Sequence, residues 1–268
     1  MSSGYWQELT TSDFSGLDPE KSVALLPVAA IEQHGPHLPL ATDAVINAGI
    51  VTEAMQRLPD DLSVLVLPAL DVGSSLEHTA FAGTLSIDAE TLLATWRQLG
   101  ACVARAGVRK LVILNTHGGQ TALVDVAALQ LRADHAMLVA RANYLRFGTP
   151  TGLFSVEELA EDIHGGLVET SLMLHLRPDL VRRDAIENFA GLPRELAARN
   201  EELGVERPVG FGWMSQDLHP SGACGNAAGA DAGRGKAYLE HIADGLVRLL
   251  AEVTATPLSL FDTRSGNR

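Results

Sequence analysis

Lys110-Leu111-Val112-Ile113-Leu114-Asn115-Thr116-His117-Gly118-Gly119-Gln120 is the stretch on which the architecture turns. Its first half is a continuous apolar run of strand length without polar alternation, as a strand covered on both faces requires. Two glycines then break the run, and a helical pattern follows over residues 120–133. Strand, glycine turn and helix in that order make half of a βαβ unit. Similar apolar runs occur at 23–28, 63–68 and 136–141, and helical periodicity fills 44–58 and 88–106 between them. The alternation predicts an α/β fold: a three-layer sandwich with a mostly parallel central sheet and helices on both faces. Asp88-Ala89-Glu90 supplies an acidic first turn to the second helix, and Gly107 suits its C-terminal end.

Downstream the pattern loosens. Residues 147–162 read as a loop with a short acidic helix over 156–162, followed by a helix over 165–176 that Arg177-Pro178 stops. Residues 188–229 are rich in glycine, proline and polar side chains, and are expected to run over the surface or onto a neighbouring subunit. A closing helix over 233–253 places Leu239, Ile242, Leu246, Leu250 and Val253 on one stripe. With 268 residues, 46% of them hydrophobic, and no repeat or linker, one domain spanning 1–268 is expected.

The formal charge of −13 excludes a nucleic-acid or anionic-membrane surface, since both need clustered lysine and arginine. Residues 1–13 lack the basic and apolar regions of a secretory signal, and no run approaches the eighteen or so apolar residues of a membrane span. A cytoplasmic protein is expected. Cys102 and Cys224 are too few for a disulfide framework or a cysteine zinc site. Cys102 falls in a helical apolar pattern and is expected to fill core.

The chemistry concentrates in Ile31-Glu32-Gln33-His34-Gly35-Pro36-His37-Leu38-Pro39-Leu40-Ala41-Thr42-Asp43, after the first buried strand. If the chain is still extended there, Glu32 and His34 project to the same side. Asp43 precedes a helix, where it is either a helix N-cap or a carboxylate reaching back to the other two. Oxygen and imidazole donors suit zinc, manganese or iron, and one carboxylate can bridge two such ions. His117 falls at the carboxyl end of a strand, where parallel α/β sheets gather ligands. Gly118 and Gly119 present backbone N–H groups that could hold an oxyanion, although Gly-Gly turns also serve as plain connections. His164 precedes Glu169 on a mostly apolar helix, where a buried carboxylate calls for a compensating cation. Glu77-His78 is a further acid–imidazole pair, suited equally to packing, subunit contact or chemistry.

The segments 27–43, 77–84, 115–120 and 164–171 resemble, in order and in separation, the motifs of the creatininase family of amidohydrolases. The resemblance implies a sandwich fold, commonly assembled as a hexamer, with a dinuclear zinc, manganese or iron centre that hydrolyses C–N bonds of cyclic or linear amides. It assigns Glu32, His34, Asp43 (bridging), His117 and Glu169 to two divalent ions, and His164 to proton transfer. A hydroxide held between the ions is then expected to attack the amide carbonyl of a small substrate. Members that open creatinine carry a metal-binding glutamate where this chain has Gly119, and tryptophans near the positions of Leu145 and Ala160-Glu161. Many relatives also carry Gly-Asp-Pro where Cys224-Gly225-Asn226-Ala227 stands. An amide other than creatinine is therefore expected. Two other readings compete: a metal-stabilised scaffold without catalysis, and a nucleotide-binding α/β enzyme, for which no G-x-G-x-x-G or Walker pattern follows the early strand.

Overall fold

A computed structural model describes residues 3–206 and 208–262. Five parallel strands form the central sheet in the order β1-β3-β2-β4-β5: β1 (Gly4–Tyr5), β2 (Ser22–Val28), β3 (Ser63–Val66), β4 (Lys110–Asn115) and β5 (Leu138–Asn143). The period-two geometry of a strand sends alternate side chains to opposite faces. Val23, Leu25, Val112 and Leu114 accordingly join one core with α1 (Thr42–Arg57), while Ala24, Leu26, Leu111 and Ile113 join the other with α2 (Ala89–Arg105) and α3 (Thr121–His135). Sandwich, parallel sheet and helical layers on both faces all match the sequence expectation.

The short α4 (Val156–Glu161) leads to α5 (Leu167–Leu176), which packs with α1 beneath the first core. Beyond it lie β6 (Asn188–Phe189), α6 (Leu192–Ala197), α7 (Ser215–Leu218), β7 (Gly225–Asn226), the long α8 (Ala232–Ala255) and α9 (Ser259–Asp262). No described helix is long and apolar enough to cross a membrane.

α5 and α8 approach so closely that a methyl on Gly235 would collide with the Ser171 carbonyl. Both partners are backbone-anchored and cannot easily yield, so Gly235→Ala is expected to lower stability by about 1–3 kcal/mol, read as a lower urea midpoint at unchanged slope.

Several local expectations need correction. β5 starts at Leu138, two residues late, because Ala136 is a left-handed cap (φ 50°) that ends α3. Cys102 is exposed on α2 rather than in the core, and Cys224 is the buried cysteine. The 188–229 segment does not simply run over the surface. Gly222 accepts a hydrogen bond from Gln33 Nε2, and Cys224 exchanges backbone hydrogen bonds with His164.

Candidate metal centre

The chain leaves β2 and β4 side by side, with Val28 in register with Asn115, and continues to α1 on one face and α3 on the other. Such a divergence opens a crevice at the carboxyl ends of the strands. Asn47 of α1 ties it together, its Nδ2 donating to the carbonyls of Val28 at 3.1 Å and Leu114 at 3.2 Å. Thr116 Oγ1 donates to the Asp43 carbonyl at 2.9 Å, so the start of α1 is fixed against the end of β4.

The loop after β2 folds back on itself: Glu32 N–H bonds to the Leu40 carbonyl, and His34 pairs with Leu38. Glu32, His34, Asp43 and His117 are all at most 3% exposed. Asp43 is not the N-cap of α1. That position belongs to Ala41, and Asp43 lies inside the first turn, where the helix dipole favours a carboxylate.

Both histidines have their tautomers set by backbone. The Nδ1–H of His34 donates to the Glu32 carbonyl at 3.0 Å, which leaves Nε2 facing Asp43 Oδ1 at 3.2 Å and Glu169 Oε2 at 3.8 Å. His117 is arranged in reverse: Nε2–H donates to the Ser74 carbonyl at 2.9 Å, and Nδ1 faces Glu32 Oε1 at 3.2 Å and Asp43 Oδ2 at 3.4 Å. A backbone acceptor on the far nitrogen is the usual support of a metal-binding imidazole. Each oxygen of Asp43 thus faces a different histidine.

Two donor groups follow, Glu32–Asp43–His117 and His34–Asp43–Glu169, and within each the ligand atoms lie within 4.8 Å of one another. A third group, Glu32–His34–His164, shares members with both. Every residue assigned to metal from the sequence therefore falls in the crevice. Glu32 Oε2 and Asp43 Oδ2 are buried without a hydrogen-bond partner, which is costly unless a cation meets them. The oxygen and imidazole donors fit a divalent transition metal.

The electrostatics agree. Burial opposes charge on His34, but Asp43, Glu169 and Glu32 outweigh it and push its pKa up to about 10. Burial likewise opposes charge on His117, yet Glu32 and Asp43 raise it well above the imidazole range. Burial would raise Asp43, but His34 and His117 hold it below the usual carboxylate range. Glu169 is pushed up by burial. The carboxylates of the crevice therefore draw positive charge strongly.

His164 closes one side. Its Nε2–H donates to the Gln33 carbonyl at 2.5 Å, its Nδ1 lies 3.8 Å from Glu32 Oε1, and its ring lies 4.2 Å from that of His34. Burial and His34 lower its pKa to about 4, so it is neutral at pH 7. Gly118 and Gly119 are exposed in a 3-10 turn at the rim. Asp162, which sequence reasoning missed, accepts from the Leu167 and Val168 N–H groups and so anchors the start of α5, two turns of loop and helix from Glu169. Aspartate before a helix was the available signal.

In the sequence His78 is visible only as half of an acid–imidazole pair. It is 1% exposed, its Nε2 lies 3.3 Å from Glu32 Oε1, and Gln33 Nε2 and Ser215 Oγ meet its Nδ1 at 2.8 and 2.7 Å. Burial and the neighbouring histidines keep it neutral, so an Nε2–H can support Glu32. His37 stays outside the ligand groups, bonded to Thr170 Oγ1 and stacked on Phe189.

A parallel α/β sandwich with a carboxylate–imidazole crevice at its strand ends defines a metal-binding hydrolase scaffold. The family model for creatininase, described as creatinine amidohydrolase, matches residues 7–250. A mycofactocin precursor peptide peptidase of Mycobacterium ulcerans (strain Agy99) is 32% identical over 255 residues, covering 93% of each chain. A creatinine amidohydrolase of Pseudomonas putida is 34% identical over 182 residues, covering 61% of this chain and 68% of that one. A solved manganese creatininase is 25% identical with a TM-score of 0.71, covering 93% of this chain and 98% of that one. The chain belongs to the creatininase family, and it is an amidohydrolase of that family.

Proposed function

We propose that this protein is a dinuclear metal-dependent amidohydrolase that cleaves a C–N bond in a small cyclic or linear amide or short peptide other than creatinine. The observation that carries the reading is the division of Asp43 between two histidines, Oδ1 towards His34 and Oδ2 towards His117. Glu32, Asp43 and His117 would hold one ion; His34, Asp43 and Glu169 would hold the other. Zinc suits this donor set best, and manganese or iron is compatible. When bound, such ions polarise a carbonyl and lower the pKa of water towards about 7.

The chain's own residues supply the rest. His164, neutral and fixed by its bond to Gln33, takes a proton at Nδ1 and returns it to the departing nitrogen. Gly118 or Gly119 N–H orients the carbonyl oxygen at the rim. Peptide cleavage is supported by the mycobacterial relative, named as a precursor peptide peptidase. Creatinine is disfavoured because position 119 is glycine and Glu77 occupies the adjoining space. Residues 1–268 are proposed to act as one unit, in a cytoplasmic homohexamer.

Protein reconstituted with zinc or manganese, screened against cyclic amides, formamides, lactones and short peptides, tests this. Turnover of an amide that chelation abolishes is expected. Two tightly held ions with no hydrolysis of any amide would favour a scaffold instead.

A further inference from the structure

The imidazoles around the crevice differ in what sets their ring protons. His34, His117 and His164 each donate from one nitrogen to a backbone carbonyl, that of Glu32, Ser74 and Gln33 respectively. The Nδ1 of His78 is met instead by two side chains, Gln33 Nε2 at 2.8 Å and Ser215 Oγ at 2.7 Å. The serine hydroxyl rotates to suit, and its proton is equally placed to reach the Glu77 carbonyl at 2.7 Å. The amide has no such freedom.

Gln33 is 5% exposed. Its Oε1 accepts from the Gly35 N–H at 2.9 Å, and its Nε2 donates to the Gly222 carbonyl at 3.0 Å. Turning the amide over would set N–H against N–H and oxygen against oxygen, so these two backbone groups settle its orientation. Gly222, at a φ of 83°, closes on it so tightly that a Cβ there would collide with the amide. The remaining Nε2 hydrogen therefore points at His78 Nδ1, which must present a lone pair. The ring proton then belongs on His78 Nε2, 3.3 Å from Glu32 Oε1. The opposite tautomer would turn a lone pair towards that carboxylate. Glu32 Oε2, buried and without a partner, is left to meet an ion.

We infer that Gln33 is a positioning residue that acts through His78: its amide fixes the Nε2–H tautomer of that ring, and the ring holds Glu32 in the orientation that the Glu32–Asp43–His117 ion requires. The inference rests on the dinuclear reading and adds to it a residue outside every ligand group. His164 bonds to the Gln33 backbone carbonyl, which any substitution retains.

Magnetic resonance of the histidine ring nitrogens, beside titration of zinc against a competing chelator, tests it. In the unaltered protein His78 is expected to carry its proton on Nε2 alone. Gln33→Met keeps the length of the side chain and removes the amide, so the proton should move to Nδ1, where Ser215 accepts it. One of the two zinc ions should then bind about 10–100-fold more weakly, the scale of a lost supporting hydrogen bond, and the other should hold. In a His78→Phe background, Gln33→Met should weaken zinc no further. A proton on Nδ1 in the unaltered protein, an equal loss at both ions, unchanged zinc affinity, or a full effect of Gln33→Met without His78 would overturn the assignment. Fewer than two zinc ions in the unaltered protein would overturn the dinuclear reading instead, and the ring-nitrogen spectra would still decide whether Gln33 sets the proton on His78.

Discussion

His164→Ala is expected to lower kcat by roughly 10²–10⁴ while leaving metal content intact. The expectation comes from how the ring is held. Backbone hydrogen bonds join His164 to Cys224 in both directions, at 3.0 and 2.6 Å, and the short bond to Gln33 commits Nε2–H. Rotation is blocked, and the Nδ1 lone pair is presented to the crevice. His78 packs on the ring at a centroid distance of 4.2 Å, and its neutrality avoids a second competing charge. A base whose pKa is lowered to about 4 by burial gives up its proton readily to a leaving amine, and amine expulsion requires that proton. Because His164 also falls in the Glu32–His34–His164 group, the variant discriminates between roles. Elemental analysis beside the kinetics would reveal lost metal if the residue were a ligand.

Asp43→Ala should remove both ions together. Its two oxygens face the two histidines at 3.2 and 3.4 Å, so neither donor group survives its loss. The polypeptide should be less stable without metal, since the carboxylate is held ionised between His34 and His117 and its loss leaves two buried imidazoles without that counter-charge. Thr116 bonds to the Asp43 backbone carbonyl, which alanine retains. The diagnostic is therefore the increment on adding metal, compared with each protein's own metal-free baseline. At a hundredfold excess of metal over Kd each ion contributes about 2.7 kcal/mol, so the unaltered protein should gain several degrees of Tm on zinc addition and the variant almost none. A variant that still gains the full increment would mean that Asp43 bridges nothing.

How far the sequence reveals this site depends on which contacts are local. β4 is legible to the residue because four consecutive apolar positions, 111–114, flanked by Lys110 and Asn115, read as a strand covered on both faces. Glu32, His34 and Asp43 are legible because one loop carries them, and His117 because it terminates a strand. β5 is misplaced by two residues because Ala136-Met137 continues the apolar run, while the backbone at Ala136 is set by the end of α3. Propensity cannot report a left-handed alanine.

The site's remaining partners are long-range. His78 reaches Gln33 across 45 positions, Ser215 reaches His78 across 137, and Gly222 reaches Gln33 across 189. Two of these three involve groups with no chemical signature in sequence, a serine at the start of the short α7 and a glycine carbonyl. The 188–229 segment reads as peripheral because its composition reports solvent tolerance. Its function in the fold is carried by backbone groups at Gly222 and Cys224. Glu77 is the intermediate case: the Glu-His pair is visible in sequence, but its relation to Gly119 emerges only from the turn that brings them together.

The most direct measurement is anomalous diffraction from zinc-reconstituted crystals, with zinc counted per chain by elemental analysis. Two ions per chain are expected, one among Glu32, Asp43 and His117 and the other among His34, Asp43 and Glu169, with an Asp43 oxygen on each. A single ion, or a pair of peaks not joined by Asp43, would contradict the bridged centre.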